Sequence, residues 1–255
     1  MKKSLLLIMS ILCIGISGCS FDFIDDFFAE DEEVILEPNI IHETKPFSGR
    51  VICVDAGHGI NNSGEYEPIA PGSSKTKPSF VSGTSGKNQT EEELNLKVAL
   101  KLERALLDMG ATVYMTRTTH ETEMSNIDRA LLANDVNADI SVKLHADGID
   151  NSSVSGVSML VPGNDYINDS LLCEKSRRAG ELILRNVINI TGANDRGVVT
   201  RNDLTGFNWT KVPIVLLEMG FMTNSEDDRK LETEEYQQKI VDGIVSGLIE
   251  YFEMN

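Results

Sequence analysis

The sequence predicts an α/β fold: a single domain with a twisted, mostly parallel sheet and helices on both faces. Two observations carry that expectation. Short β-branched or apolar runs recur at residues 51–54, 139–145 and 213–217, the length of strands rather than helices. Between them lie segments with apolar residues every three or four positions. Several open on a hydroxyl residue followed three positions later by an acid, as at Thr90/Glu93, Ser125/Asp128 and Thr223/Glu226. Strands alternating with helices bury their apolar faces best as a parallel sheet with crossover helices. At 255 residues the chain can fill one such core, and no internal repeat or second domain is evident.

Residues 1–19 read as a signal peptide. Lys2 and Lys3 form a basic start, and the apolar run from Leu5 to Ile16 is short for a membrane span. The run ends Ile16-Ser17-Gly18-Cys19, which resembles the lipobox of bacterial lipoproteins. That resemblance implies cleavage before Cys19, lipid attachment to it, and an extracytoplasmic protein anchored at the outer face of the bacterial cell membrane; an ordinary secretory signal is the alternative. Residues 20–48 mix Phe21, Phe23, Phe27 and Phe28 with many acids and read as an acidic tether, leaving residues 49–255 as the folded domain.

Residues 51–54 have no polar gap and read as a strand buried on both faces. They lead into Asp55-Ala56-Gly57-His58-Gly59, where the glycines permit a turn and clear space beside the His58 ring. Residues 60–89 lack an apolar period and read as a long loop shaping the rim of a site. The Thr90 helix carries Leu94, Val98, Leu102, Ala105, Leu106 and Met109 on one face and stops at Gly110. Of its three leading acids, Glu93 caps, Glu92 is expected in solvent, and Glu91 alone steps onto the inward face.

Residues 111–116 are the second strand, followed by His120, read as a surface residue, and the Ser125 helix. Residues 139–145 form the third strand, ending in His145, and 155–161 the fourth, closed by Pro162-Gly163. A helix over 171–190 precedes a loop, 191–209, with a short extended piece at 197–200. Residues 213–217 form a buried strand ending in Glu218, and the last helix carries Tyr236, Ile240, Ile244, Leu248 and Tyr251 on one face.

The formal net charge of −17 excludes nucleic acid as a partner, because binding it needs a basic face. The four cysteines show no paired spacing for a metal. Cys53 and Cys173 read as small buried residues, with a disulfide between them as the alternative in an oxidising compartment.

His58, His145 and Glu218 each sit at a C-terminal strand end, and Glu91 opens the helix entered from the His58 loop. In parallel sheets ligands bind beyond such ends. Two imidazoles and a carboxylate are a common ligand set for catalytic zinc, with a fourth position for an acidified water. A further carboxylate can move that water's proton. The residues leave open which glutamate ligates; the favoured split has His58, Glu91 and His145 as ligands and Glu218 as base.

Residues 51–59, Glu91-x-x-Leu94-Asn95-Leu96, Ser141-x-x-Leu144-His145-Ala146-Asp147 and the run from Leu216 to Asn224 resemble the zinc-dependent N-acetylmuramoyl-L-alanine amidases of the type 3 class. The resemblance runs from about Arg50 to the C-terminus. It implies one Zn²⁺ held by His58, Glu91 and His145, with Glu218 catalytic. The implied reaction cleaves the amide between N-acetylmuramic acid and L-alanine of the peptidoglycan stem peptide. Arg196, in Asp195-Arg196-Gly197, is implied to face the substrate; a loop salt bridge is the alternative. Ala56 and Asp147 stand where Pro and Asn are frequent in the family, and neither change removes a ligand. Rival readings are a zinc peptidase cutting within the stem peptide, an inactive wall-binding lipoprotein, and a divalent metal other than zinc.

Overall fold

The computed structural model describes residues 44–254; the signal peptide, Cys19 and the tether up to residue 43 lie outside the described residues. Strand β1 (Val51–Ala56) is followed by a long excursion carrying β2 (Tyr66–Pro68) and β3 (Thr76–Pro78). Then come α1 (Glu91–Asp108), β4 (Thr112–Met115), α2 (Asn126–Asp135), β5 (Ile140–Asp147) and β6 (Val157–Pro162). The chain continues through α3 (Ser170–Thr191), β7 (Asp195–Arg201), α4 (Thr205–Asn208), β8 (Ile214–Phe221), α5 (Ser225–Leu231) and α6 (Glu234–Glu253). Six strands form one sheet in the order β4-β1-β5-β8-β6-β7, parallel throughout except where β6 meets β8.

Strict alternation divides the residues of the central strands between two unlike faces. Ile52, Val54, Val142, Leu144, Val215 and Leu217 point to one face and pack with α1, α3 and α6 as the main core. The opposite face has only small apolar clusters, Cys53 with Ala133 near α2, and Leu160, Ile214 and Leu216 with Phe207 of α4. By the same alternation it also receives Asp55, Ser141, Lys143, His145 and Glu218. The sheet thus separates an apolar side that stabilises the fold from a polar side that is free to carry chemistry.

The capping boxes at Thr90/Glu93 and Ser125/Asp128 are present. The one expected at Thr223/Glu226 is not. Asn224 caps α5 instead, its Oδ1 accepting the N–H groups of Glu226 at 3.0 Å and Asp227 at 3.1 Å, while Thr223 Oγ1 accepts from the Ile149 N–H. The reason is that β8 runs on to Phe221, beyond the apolar run, so the turn falls later and Glu218 lies inside the strand. The extended piece at 197–200 belongs to a seven-residue edge strand, β7.

The long excursion also departs from a bare loop. Its β2–β3 ribbon is tied down by polar groups that carry no periodic signal in sequence. Glu67 Oε2 accepts the Ile127 N–H at 3.1 Å, and Asn208 Nδ2 and Trp209 Nε1 donate to the Ile69 and Pro68 carbonyls at 3.0 Å each. Phe47, in the stretch read as tether, is fully buried, edge-on to Phe252 at 6.0 Å. Cys53 is buried, Cys173 is partly buried, and both are free. No helix among the described residues is long and apolar enough to cross a membrane.

Helices α3 and α6 cross at two glycines. A Cβ on Gly247 would stand 2.5 Å from Ile183 Cα, and one on Gly243 would stand 2.6 Å from Val187 Cα. Gly247→Ala is therefore expected to force the helices apart and lower the unfolding free energy by about 1–3 kcal/mol in urea denaturation. An unchanged midpoint would mean that this crossing tolerates a methyl group.

Candidate metal centre

The site begins at the end of β1. Asp55 is buried, and its Oδ1 accepts from Arg129 Nη1 at 2.7 Å and Thr116 Oγ1 at 2.6 Å, while Oδ2 pairs with Lys143 Nζ. Burial opposes its charge, but Lys143 and Arg129 hold its carboxyl well below the usual carboxylate range. Arg129 also donates to the carbonyls of Ala56 and His58, at 2.9 and 2.5 Å, and Arg117 donates to those of Ala56 and Gly57, both at 2.9 Å. These bonds fix three consecutive carbonyls and hold His58 in the left-handed region at φ 59°. Such a conformation costs a side-chain-bearing residue roughly 1–2 kcal/mol. It aims the imidazole back over the sheet.

His58, Glu91 and His145 meet there. His58 Nε2 lies 2.9 Å from Glu91 Oε1, His145 Nδ1 lies 3.0 Å from the same oxygen, and the two nitrogens are 3.1 Å apart. His58 Nδ1 lies 2.7 Å from the Val81 carbonyl. That carbonyl can only accept, so Nδ1 carries the proton and Nε2 turns a lone pair inward. Three acceptor atoms this close repel one another. One proton relieves one edge of the triangle; a cation at its centre relieves all three. These residues are the group of His, Cys, Asp and Glu, among the described residues, whose ligand atoms converge closely enough to hold a metal ion.

Glu91 is 3% exposed. Burial opposes its charge, and the His145 and His58 rings against it hold its pKa below the usual range. Its Oε2 accepts the Thr84 N–H at 2.9 Å, and Oε1 accepts from Asn95 Nδ2 at 3.3 Å and the Ala146 N–H at 3.2 Å. Burial pushes the His145 imidazole down to about 4, so the ring is neutral at physiological pH, as a ligand must be. The glycines serve other rings than the sequence suggests. A Cβ on Gly57 would lie 2.4 Å from the His145 ring, whereas His58 is flanked by Gly83, where a Cβ would lie 2.9 Å from its Cδ2 and 2.7 Å from Glu91 Oε2.

Glu218 is the direct register partner of His145 across β5 and β8, on the same face. Its Oε2 is buried with no hydrogen-bond partner. Burial first, then the charges of Glu91 and Asp147, drive its pKa well above that of an ordinary glutamate. Beside the triangle opens a cleft of about 240 Å³, whose lining includes His58, His145, Lys143, Leu216, Phe80 and Phe207. The residues 77–81 at its rim come from the long excursion, as expected.

Arg196 does not line this cleft; its guanidinium stacks over the Phe221 ring, 5.1 Å from the centroid. Glu92 is not in solvent. It is 7% exposed, accepting from Thr90 Oγ1 at 3.1 Å and lying 3.0 Å from Nδ1 of the exposed His120, because the first turn of α1 packs on the β4–α2 connection. Sequence reasoning gave no role to Arg129, Arg117, Gly83 or Thr84. None is marked by spacing, since each reaches the site across 7 to 71 residues of chain.

The family model described as N-acetylmuramoyl-L-alanine amidase (Amidase_3) matches residues 52–250. The chain is 29% identical over 209 residues to the uncharacterised protein YqiI of Bacillus subtilis, covering 82% of this chain and 88% of that protein. It is 28% identical to the N-acetylmuramoyl-L-alanine amidase LytC of Bacillus subtilis, covering 81% of this chain but only 36% of the relative. Among solved structures, the N-acetylmuramyl-L-alanine amidase Ami1 from Mycobacterium abscessus superposes with a TM-score of 0.74 at 26% identity, over 81% of this chain and all of that one.

Two outcomes follow from the site geometry. Gly83→Ala is expected to weaken metal binding about 10–100-fold, read by competition with a chromophoric chelator, because the methyl group strikes both ligands that the excursion orients. Unchanged affinity would remove the excursion from the ligand shell. In metal-free Glu218→Gln protein, which lacks the raised glutamate whose protonation would stabilise the fold over the same window, stability is expected to fall as pH drops from about 6.5 toward about 4, where the folded His145 stays neutral while the unfolded chain takes up the proton. The loss should approach about 3 kcal/mol, measured by denaturant titration at each pH. A flat profile across that window would contradict it.

Proposed function

The chain belongs to the N-acetylmuramoyl-L-alanine amidase family, and on that premise we propose that it is a zinc-dependent peptidoglycan amidase. It hydrolyses the amide between N-acetylmuramic acid and the L-alanine of the stem peptide. The observation that carries this reading is the convergence of His58 Nε2, His145 Nδ1 and Glu91 Oε1, with Glu218 in register opposite His145. Zinc suits the donor set. Ligand separations of 2.9–3.1 Å lie within a few tenths of the roughly 3.3 Å between neighbouring ligands of a tetrahedral zinc ion.

When bound, the ion supplies Lewis acidity toward a carbonyl and lowers the pKa of water toward neutrality. The protein does the rest. His58, Glu91 and His145 act as ligands. The Val81 carbonyl and the Thr84 N–H keep the first two in line. Glu218 accepts a proton at its unpaired Oε2 and passes it to the departing L-alanine nitrogen. Its raised pKa brings it closer to working pH than an ordinary glutamate, which suits an acid–base group. Arg196 is proposed to reach the glycan or peptide from the edge strand.

The wall substrate and the amidase relatives support action outside the cytoplasm; Cys19 as the point of lipid attachment rests on the lipobox-like run Ile16-Ser17-Gly18-Cys19 alone. The net charge of −17 makes general attraction to a polyanionic wall unfavourable, so the site itself must provide recognition.

Digestion of purified peptidoglycan with and without a chelator, with fragments read by mass spectrometry, tests the reading. Chelator-sensitive release of intact stem peptides beginning at L-alanine is the expected result; shortened stems would identify a peptidase, and no release despite bound zinc would point to a binding protein. Glu218→Gln should keep its zinc and lose about 10²–10⁴-fold in turnover, whereas His58→Ala should lose both. Equal zinc loss in the two variants would overturn the division of roles.

A further inference from the structure

The cleft beside the triangle carries a charge pattern opposite to that of the whole chain. Against a net charge of −17, its lining includes Lys77, Arg129 and Lys143 and only one acid, Asp203. That acid is occupied: Arg201 holds it through two hydrogen bonds, at 2.7 and 2.9 Å, and Lys77 Nζ lies 3.4 Å from its Oδ2. Arg129 has its donors spent on Asp55, Thr122 Oγ1 and the carbonyls of Ala56, His58 and Met124.

Lys143 is different. It is 8% exposed, and its ammonium has one partner, Asp55, which Arg129 and Thr116 already share. Three N–H donors with one acceptor leave a buried cation short of hydrogen bonds, in a cleft otherwise walled by Pro78, Phe80, Phe207 and Leu216. An acceptor entering from outside, above all an anionic one, completes this arrangement.

We propose that the cleft is a carboxylate-binding subsite, with Lys143 at its floor, that takes the free carboxylate on the second residue of the stem peptide. The identity of the peptide rests on the amidase reading; the preference for a carboxylate rests on the cleft alone. Distance selects the residue. Lys143 and His145 are two positions apart on one face of β5, about 7 Å along the strand. An extended peptide spans about 7 Å in two residues. With the scissile amide at the triangle, the carboxylate of the second residue therefore reaches Lys143. The volume of about 240 Å³ is below the roughly 300–1,000 Å³ of sites that enclose a whole small molecule, which suits one residue of a longer substrate.

The test compares two peptides, L-alanyl-γ-D-glutamate with a free α-carboxylate and the same dipeptide with that group amidated, binding to the full zinc-loaded chain by titration calorimetry. The free acid should bind about tenfold more tightly. Lys143→Met should bring the ratio to near one. Because that variant disturbs the buried pair with Asp55, Gly206→Asp is the companion. A Cβ there would lie 3.5 Å from Lys143 Nζ, in ordinary contact, so an aspartate can occupy the ammonium from inside the protein. It too should erase the preference, with an intact melting transition. Equal binding of both peptides by the unaltered chain, no binding of either, or a preference that survives Gly206→Asp would overturn the subsite. A preserved preference without any hydrolysis of peptidoglycan would instead overturn the amidase reading and leave the subsite standing.

Discussion

The structure depends on one buried carboxylate. Asp55 sits between Lys143, Arg129 and Thr116 on the polar face of the sheet, tying β1, β5, β4 and α2 at one point. Burying these charges is costly, and the cost is offset only because each finds directed partners. Arg129 converts that anchoring into geometry. The guanidinium that neutralises Asp55 also grips the carbonyls around His58, and Arg117, with its pKa pushed down to about 10 by burial and by Arg129 beside it, grips the same turn. A left-handed histidine at a strand exit would otherwise relax. Here the stored backbone strain is held by side chains that contribute nothing else to the triangle.

The two faces of the sheet divide the work. The side against α1, α3 and α6 carries most of the apolar burial, and the glycines of α6 let it approach α3 closely. The other side gives up apolar area for polar groups, and α2, α4 and the β2–β3 excursion cover only part of it. His145 and Glu218 point to that side because they fall on the alternate positions of β5 and β8 that are not core. The site therefore lies on a face of the sheet near its C-terminal edge, with strands rather than loop tips holding two of its four groups. Strands are the stiffer support, which suits groups that must keep fixed separations.

The excursion orients the other two groups. It enters straight from His58 and leaves straight into Glu91, and between them its own backbone returns to orient both residues, through the Val81 carbonyl and the Thr84 N–H. Its far end is fastened to α2 and to the α4 region through side chains on both partners. Access to the cleft and the orientation of His58 and Glu91 are thereby properties of one segment.

Much of this was legible in the sequence. The alternation of apolar runs with capped helical periods specifies a mostly parallel sheet with covering helices, since period 2 and period 3.6 are local properties of the chain. The position of Glu91 one step inside a capping box foretold its inward turn, and His58, His145 and Glu218 were marked by apolar strands running into polar residues. Tertiary structure alone decided the rest. Polar contacts carry no period, so the ribbon within residues 60–89, the burial of Glu92 and the service of Gly83 to His58 could not be read from spacing. Nor could the exact end of β8, which continues past its apolar run because its neighbours extend the ladder, placing Glu218 within the strand. Lys143 illustrates the boundary best. In sequence it is the polar half of an alternating strand; only the fold sets its ammonium beside Asp55 in a cleft next to three converging ligand atoms.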